Sequence, residues 1–429
     1  MKTKIAFFLF TLISINAWAE ILLDIDSAVS RALQNNLSLE RSRVDMAATQ
    51  RRNNNSWNSL IPSLSAGALL SHPTSITGSL PPQQEVWTPG FSLSASLSLS
   101  PAIFANINQT RQEYEAGLIS YANARQELEF QVRRLYYHTL LLKANVDLAE
   151  LNLAGAQSRH EQTLALQLAG RASNLDELSA RLDVQNQQTN VQNAHAIYEN
   201  AIDNLKYLLM IPMETTVILQ GNLWHYSIGD HTAYNFGFSE SMQMASLRQS
   251  IAVIEAQQRA AQLRSYAPTL NLSWNSTTLY RDQMGVMDWR DTNGQFSISL
   301  NFRLDNYLPW SASRESINSF NDAITKQQSL LTEAAINHQN TIQKLLRDIA
   351  RSEETQESLR LNIILAEETV RMFEEAYLRG AVDLQALNNT MDNLRTAQNR
   401  LLSEQFNLLS IVLELERELN IPFGSIAHE

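Results

Sequence analysis

The sequence predicts a mostly α-helical chain with a small β portion, assembled from a unit that occurs twice. Three observations predict it. Landmark residues recur at an offset slightly over 200 residues, long stretches carry apolar residues every seventh position, and four short stretches alternate apolar with small polar residues.

The opening residues are set apart from the fold. Lys2 and Lys4 precede an apolar run from Ile5 to about Ile15, and Ala17-Trp18-Ala19 supplies a small-x-small cleavage pattern, so 1–19 reads as a signal peptide. That run is shorter than the roughly 20 residues a transmembrane helix needs, and no other stretch comes closer. Cysteine is absent, which excludes disulfides, thiolate metal sites, a cysteine nucleophile and a lipidated N-terminal cysteine. Only 13 Gly and 10 Pro punctuate 429 residues, which favours long helices, and a formal charge of −11 argues against nucleic-acid binding.

The repeat is set by punctuation. Pro62, Pro101, Gly170 and Pro212 correspond to Pro268, Pro309, Gly380 and Pro422, with spacings of 39, 69 and 42 residues against 41, 71 and 42. "IPSLSAG" parallels "APTLNLS", and Ile211-Pro212 parallels Ile421-Pro422. The expected organisation is a first repeat at 20–220, a linker at 221–238 and a second repeat at 239–429.

Each repeat reads helix, strand, loop, strand, long helices. Residues 27–60 have a helical pattern that Pro62 ends. A strand follows at about 63–71, with Leu64, Ala66, Ala68 and Leu70 on one face; after a loop with Pro73, Gly78, Pro81, Pro82 and Pro89 comes a second, at about 90–100. There Phe91, Leu93, Ala95, Leu97 and Leu99 alternate with Ser92, Ser94, Ser96, Ser98 and Ser100. Ser100-Pro101 reads as a helix start. The second repeat has strands at about 269–280 and 294–304, the latter with Phe296, Ile298, Leu300, Phe302 and Leu304 on one face. Beyond Pro101, Ile107, Tyr114, Tyr121, Leu128, Leu135 and Leu142 fall at sevens, as do Val184 to Leu205 and Leu387 to Leu408, which predicts coiled-coil helices.

Strands of about ten residues, apolar on one face and hydroxylated on the other, fit lipid outside and water inside a barrel. Trp57, Trp87, Tyr280, Trp289, Tyr307 and Trp310 sit at or near strand ends, where an aromatic belt would lie and where core or loop packing would equally place them. Four strands cannot close, and open edges in lipid cost tens of kcal/mol at several per unpaired group. The strands must be shared. Two copies give eight strands that side chains alone would fill, and three give a 12-stranded barrel wide enough for water.

With these features in place the chain resembles the TolC-like outer-membrane efflux proteins (outer-membrane factors). The signal peptide, the duplicated half, the strand pairs set among long helices and the glycine breaks in "LQLAGRASNLDEL" and "AYLRGAVDLQAL" carry the resemblance. It implies a homotrimer with four strands per chain in one shared transmembrane β-barrel, and helices forming an α-barrel tunnel through the periplasm. It further implies a periplasmic adaptor (membrane fusion) protein and an inner-membrane transporter as partners, with passive exit of substrates from a tripartite efflux or type I secretion system. The turns facing the adaptor would be Ala169, Gly170, Arg171 and Ala172, and Arg379, Gly380, Ala381 and Val382. The periplasmic aperture would involve Asp176, Asp383 and Tyr377, the last read equally as ordinary packing on a heptad face, with Gln385 and Asn388 at positions that are often acidic in the family.

Catalytic patterns are not found. The eight histidines are scattered without paired ligand spacing, no phosphate loop or nucleophile elbow occurs, and Glu353-Glu354, Glu367-Glu368 and Glu374-Glu375 read as solvated helix faces. The expectation is no enzyme activity, no cofactor and no metal. The competing reading is a periplasmic coiled-coil scaffold or tether without a pore, which explains the heptads but not the strands; a trimeric surface adhesin would place its strands at one end of the chain.

Overall fold

The structure is a computed structural model that describes residues 20–72, 87–221, 223, 227–228, 240–283 and 286–428. The expected signal peptide, most of the 73–89 loop and most of the 221–238 linker lie outside the described residues. In chain order the elements are β1 (Ile21–Leu23), α1 (Ile25–Asn35), α2 (Leu37–Asn54), β2 (Ser63–Ser71), β3 (Thr88–Leu99), α3 (Pro101–Leu168), α4 (Asn174–Leu208), β4 (Val217–Leu219) and β5 (Ser227–Ile228). They continue with α5 (Met242–Tyr266), β6 (Thr269–Gln283), β7 (Val286–Asn301), α6 (Ala312–Leu378), α7 (Leu384–Glu418) and β8 (Ala427–His428). The chain is mostly helical with a small sheet part. α3 and α6 are 68 and 67 residues long, and α4 and α7 are both 35. Two units divide it: Met1–Glu40 with Ala124–Ser239 and Gln339–Glu429, and Arg41–Asn123 with Glu240–His338.

In the first unit the helices pack through aliphatic seams. Ile342, Leu345 and Ile349 of α6 meet Leu408, Val412 and Leu415 of α7, closed at one end by Leu419 and Ile426. These are the positions that a heptad repeat turns inward. β1 pairs with β4 in parallel, and the buried Tyr136 donates its hydroxyl to the carbonyls of Leu23, at 2.9 Å, and Gln220, so one phenol ties α3 to both strand ends. Within the expected linker, Ser227 and Ile228 of β5 pair antiparallel with β8.

The helical pattern expected over 27–60 is broken at Asn36. Its side chain accepts the N–H groups of Ser38 and Leu39 at 2.9 and 3.3 Å and donates to the Leu208 carbonyl at 3.1 Å, so it ends α1 and starts α2. An asparagine that satisfies the orphan donors of a new helix competes with helix continuation. A short 3-10 turn, Ser56–Leu60, then leads to Pro62.

In the second unit β2, β3, β6 and β7 form one antiparallel sheet in that order. The expected second-repeat strands shift. Strand β6 runs to Gln283, and β7 starts at Val286 and stops at Asn301, short of 304. Phe302 and Leu304 therefore lie beyond the strand. A 3-10 turn at Leu304–Tyr307 replaces its end, held by the buried Asn306, which donates to the Ser265 carbonyl at 2.8 Å and accepts from the Ser313 hydroxyl at 2.7 Å. Helices α2 and α3 approach closely at Gly117, where an added Cβ would lie 2.7 Å from Thr49 Oγ1.

Candidate functional site

The sheet places its residues in rows, and the rows separate by chemistry. Ser63, Ser96, Ser273 and Ser297 stand side by side across all four strands, and Ser65, Ser94, Asn275 and Gln295 form the next row on that face. The hydroxyls pair along the rows: Ser63 with Ser96 at 2.7 Å, Ser65 with Ser94 at 2.6 Å and Ser273 with Ser297 at 2.7 Å. The opposite face carries Leu64, Ala95, Trp274 and Phe296 in one row, with Leu97, Leu272 and Ile298 in another. Because strand side chains alternate, one register fixes both faces.

The apolar face is open along much of its length among the described residues. Leu64, Leu93, Phe296 and Ile298 are all more than half exposed, an unusual burden for a sheet facing water. β2 and β7 are edge strands with no further strand beside them among the described residues, so a row of backbone donors and acceptors is open on each side. Of the expected aromatic belt, Trp57, Trp87, Tyr307 and Trp310 are exposed, while the side chains of Tyr280 and Trp289 lie outside the described residues. Among the described residues no helix is long and apolar enough to cross a membrane, and no group of His, Asp and Glu could hold a metal.

The two glycine breaks have one geometry. Gly170 and Gly380 take φ of +69° and +73°. Gly170 N–H donates to Gln167 and Arg171 N–H to Leu166, at 2.9 and 2.8 Å; Gly380 donates to Tyr377 and Ala381 to Ala376, at 2.8 and 2.9 Å. This is a Schellman turn at the end of α3 and again at the end of α6, and the left-handed position is what requires glycine. Ala169, Arg171, Arg379 and Ala381 are exposed, with Ala172 and Val382 partly so. Arg171 reaches across to donate to the Leu378 carbonyl at 3.2 Å, joining the two turns, and Arg379 pairs with Glu375 at 3.4 Å.

The residues expected at an aperture have local partners. Asp176 closes a capping box: its carboxylate accepts the Ser173 N–H at 2.9 Å and the Ser173 hydroxyl proton at 2.8 Å, while Ser173 Oγ accepts the Asp176 N–H. Asp383 is the N-cap of α7 and accepts from Ala386 N–H at 2.7 Å. Both carboxylates complement the positive end of a helix. Gln385 donates to Asn389 at 3.0 Å, and Asn388 is half-buried. Tyr377 lies against the small core of Ala180, Leu384 and Leu387, with its hydroxyl 3.5 Å from that of Thr163, in keeping with its place on a heptad face.

Farther along these helices lies an ion cluster that sequence reading did not anticipate. Asp183 of α4 takes Arg159 of α3 at 3.0 Å and Arg395 of α7 at 3.4 Å, accepts from Gln187 at 3.0 Å, and all three charged side chains are largely buried. Burial pushes the Asp183 carboxyl up, but the Gln187 hydrogen bond and the two guanidinium groups more than reverse this and hold it below the usual range. A cavity of about 500 Å³ adjoins the cluster, lined by Asn145, Asn152, Gln187, Asn190 and Asn399. No signal in a single sequence pairs residues 24 and 212 positions apart.

Residues 28–209 match the family described as outer membrane efflux protein. No curated protein matches the chain. Among solved structures the chain is similar to the outer membrane protein VceC of Vibrio cholerae, at 14% identity over 93% of this chain and 96% of that one, with a TM-score of 0.78. It is similar to the CmeC outer membrane channel of Campylobacter jejuni, at 13% identity, 92% and 85% coverage and a TM-score of 0.77. The open state of the MtrE outer membrane channel of Neisseria gonorrhoeae gives 16% identity, 92% and 89% coverage and 0.72. The likeness is thus found in sequence over residues 28–209 and in fold over nearly the whole chain.

Proposed function

We propose, for a chain that matches the outer membrane efflux protein family over residues 28–209 and shares its fold with solved outer-membrane channels, that three copies form one passive exit duct. Each copy contributes four strands to a 12-stranded barrel, with the serine rows lining water and the leucine rows facing lipid. The single observation that carries this reading is the open-edged sheet, apolar on one uncovered face and hydroxylated on the other. In water the apolar face has no cover, and in lipid the edges have no partners; closure by further copies resolves both.

Residues 20–220 and 239–429 are read as two copies of one unit, a reading supported by the equal lengths of α4 and α7 and by the two Schellman turns 210 residues apart. The turns at 169–172 and 379–382 are the surface offered to a periplasmic adaptor. An inner-membrane transporter supplies the cargo, in a tripartite efflux or type I secretion system. Asp176, Asp383, Gln385, Asn388 and Tyr377 flank the narrow end, the two carboxylates as helix caps. Substrates pass without chemistry. The test is the native mass of the mature protein extracted in detergent from outer membranes, together with its conductance in a planar bilayer. A conducting three-chain particle supports the duct, and a particle soluble without detergent supports the scaffold.

A further inference from the structure

Three helices of the first unit enclose the cavity of about 500 Å³ beside the Asp183 cluster, and carboxamides dominate its wall. Asn145 and Asn152 share one face of α3, Gln187 and Asn190 one face of α4, and Asn399 comes from α7. The volume lies within the range of about 300–1,000 Å³ in which small-molecule sites fall. Gln187 is only 7% exposed, whereas Asn190 and Asn399 are exposed, so the cleft has a buried floor and an open mouth.

Its floor is short of a donor. Gln187 donates to Asp183 at 3.0 Å and accepts from Asn190 at 3.2 Å, which ties those two amides to each other and to the ion cluster. Asn145 Oδ1 is buried and has no hydrogen-bond partner among the described residues. The carboxamides of Asn152 and Asn399 make no hydrogen bond among the described residues either. A buried acceptor left unmade is costly, so its presence here calls for an explanation.

The charges around the cleft cancel. Arg395 pairs with Asp183 at 3.4 Å and with Asp392 at 2.8 Å, and Arg159 pairs with Asp183 at 3.0 Å, two guanidinium groups against two carboxylates. An ion therefore meets no net charge. Each carboxamide both donates and accepts, which suits a neutral ligand with hydroxyl and amide groups. Leu148 and Ala149, on the same wall as Asn145, add an apolar strip.

We propose that the cleft between α3, α4 and α7 binds a neutral sugar of one or two rings that carries an acetamido group. The acetamido N–H supplies the donor that Asn145 Oδ1 lacks, and its methyl lies on Leu148 and Ala149. Ring hydroxyls exchange hydrogen bonds with Asn152, Asn190 and Asn399 toward the mouth. A sugar with a plain hydroxyl in place of the acetamido group serves the acceptor but not the apolar strip. The site rests on the cleft alone; the source of its ligand rests on the duct reading, in which these helices stand in the periplasm. Free sugar and the repeating unit of a cell-wall glycan share the acetamido chemistry, and the test separates them.

The test is a saturation-transfer NMR titration of the mature full-length protein in a detergent without a sugar headgroup. The probes are N-acetylglucosamine, its β-1,4-linked disaccharide and glucose. The disaccharide is expected to bind saturably with a Kd of about 1 mM, and glucose more weakly. Asn145→Leu, nearly the same in shape, should weaken binding about tenfold while its Tm stays level or rises, because an unpartnered buried acceptor has been removed. Ala194→Leu extends into the cleft from α4 and should block binding without altering an amide. No saturable binding by the wild type, binding of equal strength in both variants, or a preference for glucose overturns the site and leaves a seam filled by water only. Pelleting with purified cell-wall sacculi, reversed by the disaccharide, assigns the ligand to the polymer; binding of the disaccharide without pelleting assigns it to soluble sugar. Native mass and bilayer conductance read the duct and sugar binding reads the cleft, so a failure of one is told apart from a failure of the other.

Discussion

Glu416 Oε1 accepts the backbone N–H of Ile426 at 2.8 Å, and Oε2 accepts that of Gly424 at 3.0 Å, in a fully buried site at the end of α7. At the matching position 210 residues earlier, Lys206 donates to the Met213 carbonyl at 3.1 Å. A carboxylate takes donors and an ammonium takes an acceptor, yet each holds down the turn that follows its helix. An acidic and a basic side chain thus perform the same task.

Glu416→Ala leaves two buried donors without acceptors, at about 1–3 kcal/mol each, and calorimetry should show a lower Tm with β8 released from β5. Burial raises the Glu416 carboxyl above its ordinary value, against the opposing backbone hydrogen bonds and Arg133. A raised folded value favours the protonated form, so this contribution is complete below the unfolded value and lost as pH rises through the folded one. The stability gap between wild type and Glu416→Ala should therefore widen from pH 7 toward pH 4.5.

Asp183→Asn strands Arg159 and Arg395 in a largely buried site and should cost about 3 kcal/mol, read by chemical denaturation. The sign is opposite here. A lowered carboxyl contributes stability that is present above the unfolded value of 3.8 and lost as pH falls through the folded value. The difference between wild type and variant should be flat from pH 8 to 5 and shrink only in stronger acid.

The two sheet faces predict opposite outcomes for one substitution. Leu97→Arg should cost roughly 2–4 kcal/mol per chain near a bilayer midplane and empty the outer-membrane fraction of the protein, whereas Ser96→Arg, on the hydroxyl face, should leave its level unchanged. Equal recovery of both variants would refute the assignment of faces.

Gly170→Ala and Gly380→Ala should each cost about 1–2 kcal/mol from the left-handed backbone alone, because nothing lies within 4 Å of the added Cβ. Thermal melts of the single variants should agree within error. The Gly117→Ala change, with Thr49 Oγ1 in the way, disturbs α2 against α3 instead.

The features that repeat locally were legible in the sequence. The serine alternation at 92–100 identified a strand and its faces, and the proline and glycine punctuation placed the helix ends at Pro101 and Gly170, because those residues act on their own backbone. The break at Asn36 was not legible, since asparagine inside a helical pattern becomes a cap only when its side chain finds Ser38, Leu39 and Leu208. The extension of β7 back to Val286 was hidden because "VMDWRDTNG" does not alternate. At the turns, sequence located Asp176 and Asp383 but not their engagement as caps, and the Asp183 contacts depend on how helices far apart in sequence are brought side by side.

The open edges of β2 and β7 also set an order of events. A lone subunit that enters the bilayer exposes two lengths of unsatisfied backbone to hydrocarbon, so insertion cannot run ahead of association. In the proposed three-copy duct, the rate of membrane entry should climb steeply with subunit supply and stall when synthesis is sparse. Dosage would then be a kinetic control on how many of the proposed ducts a cell builds.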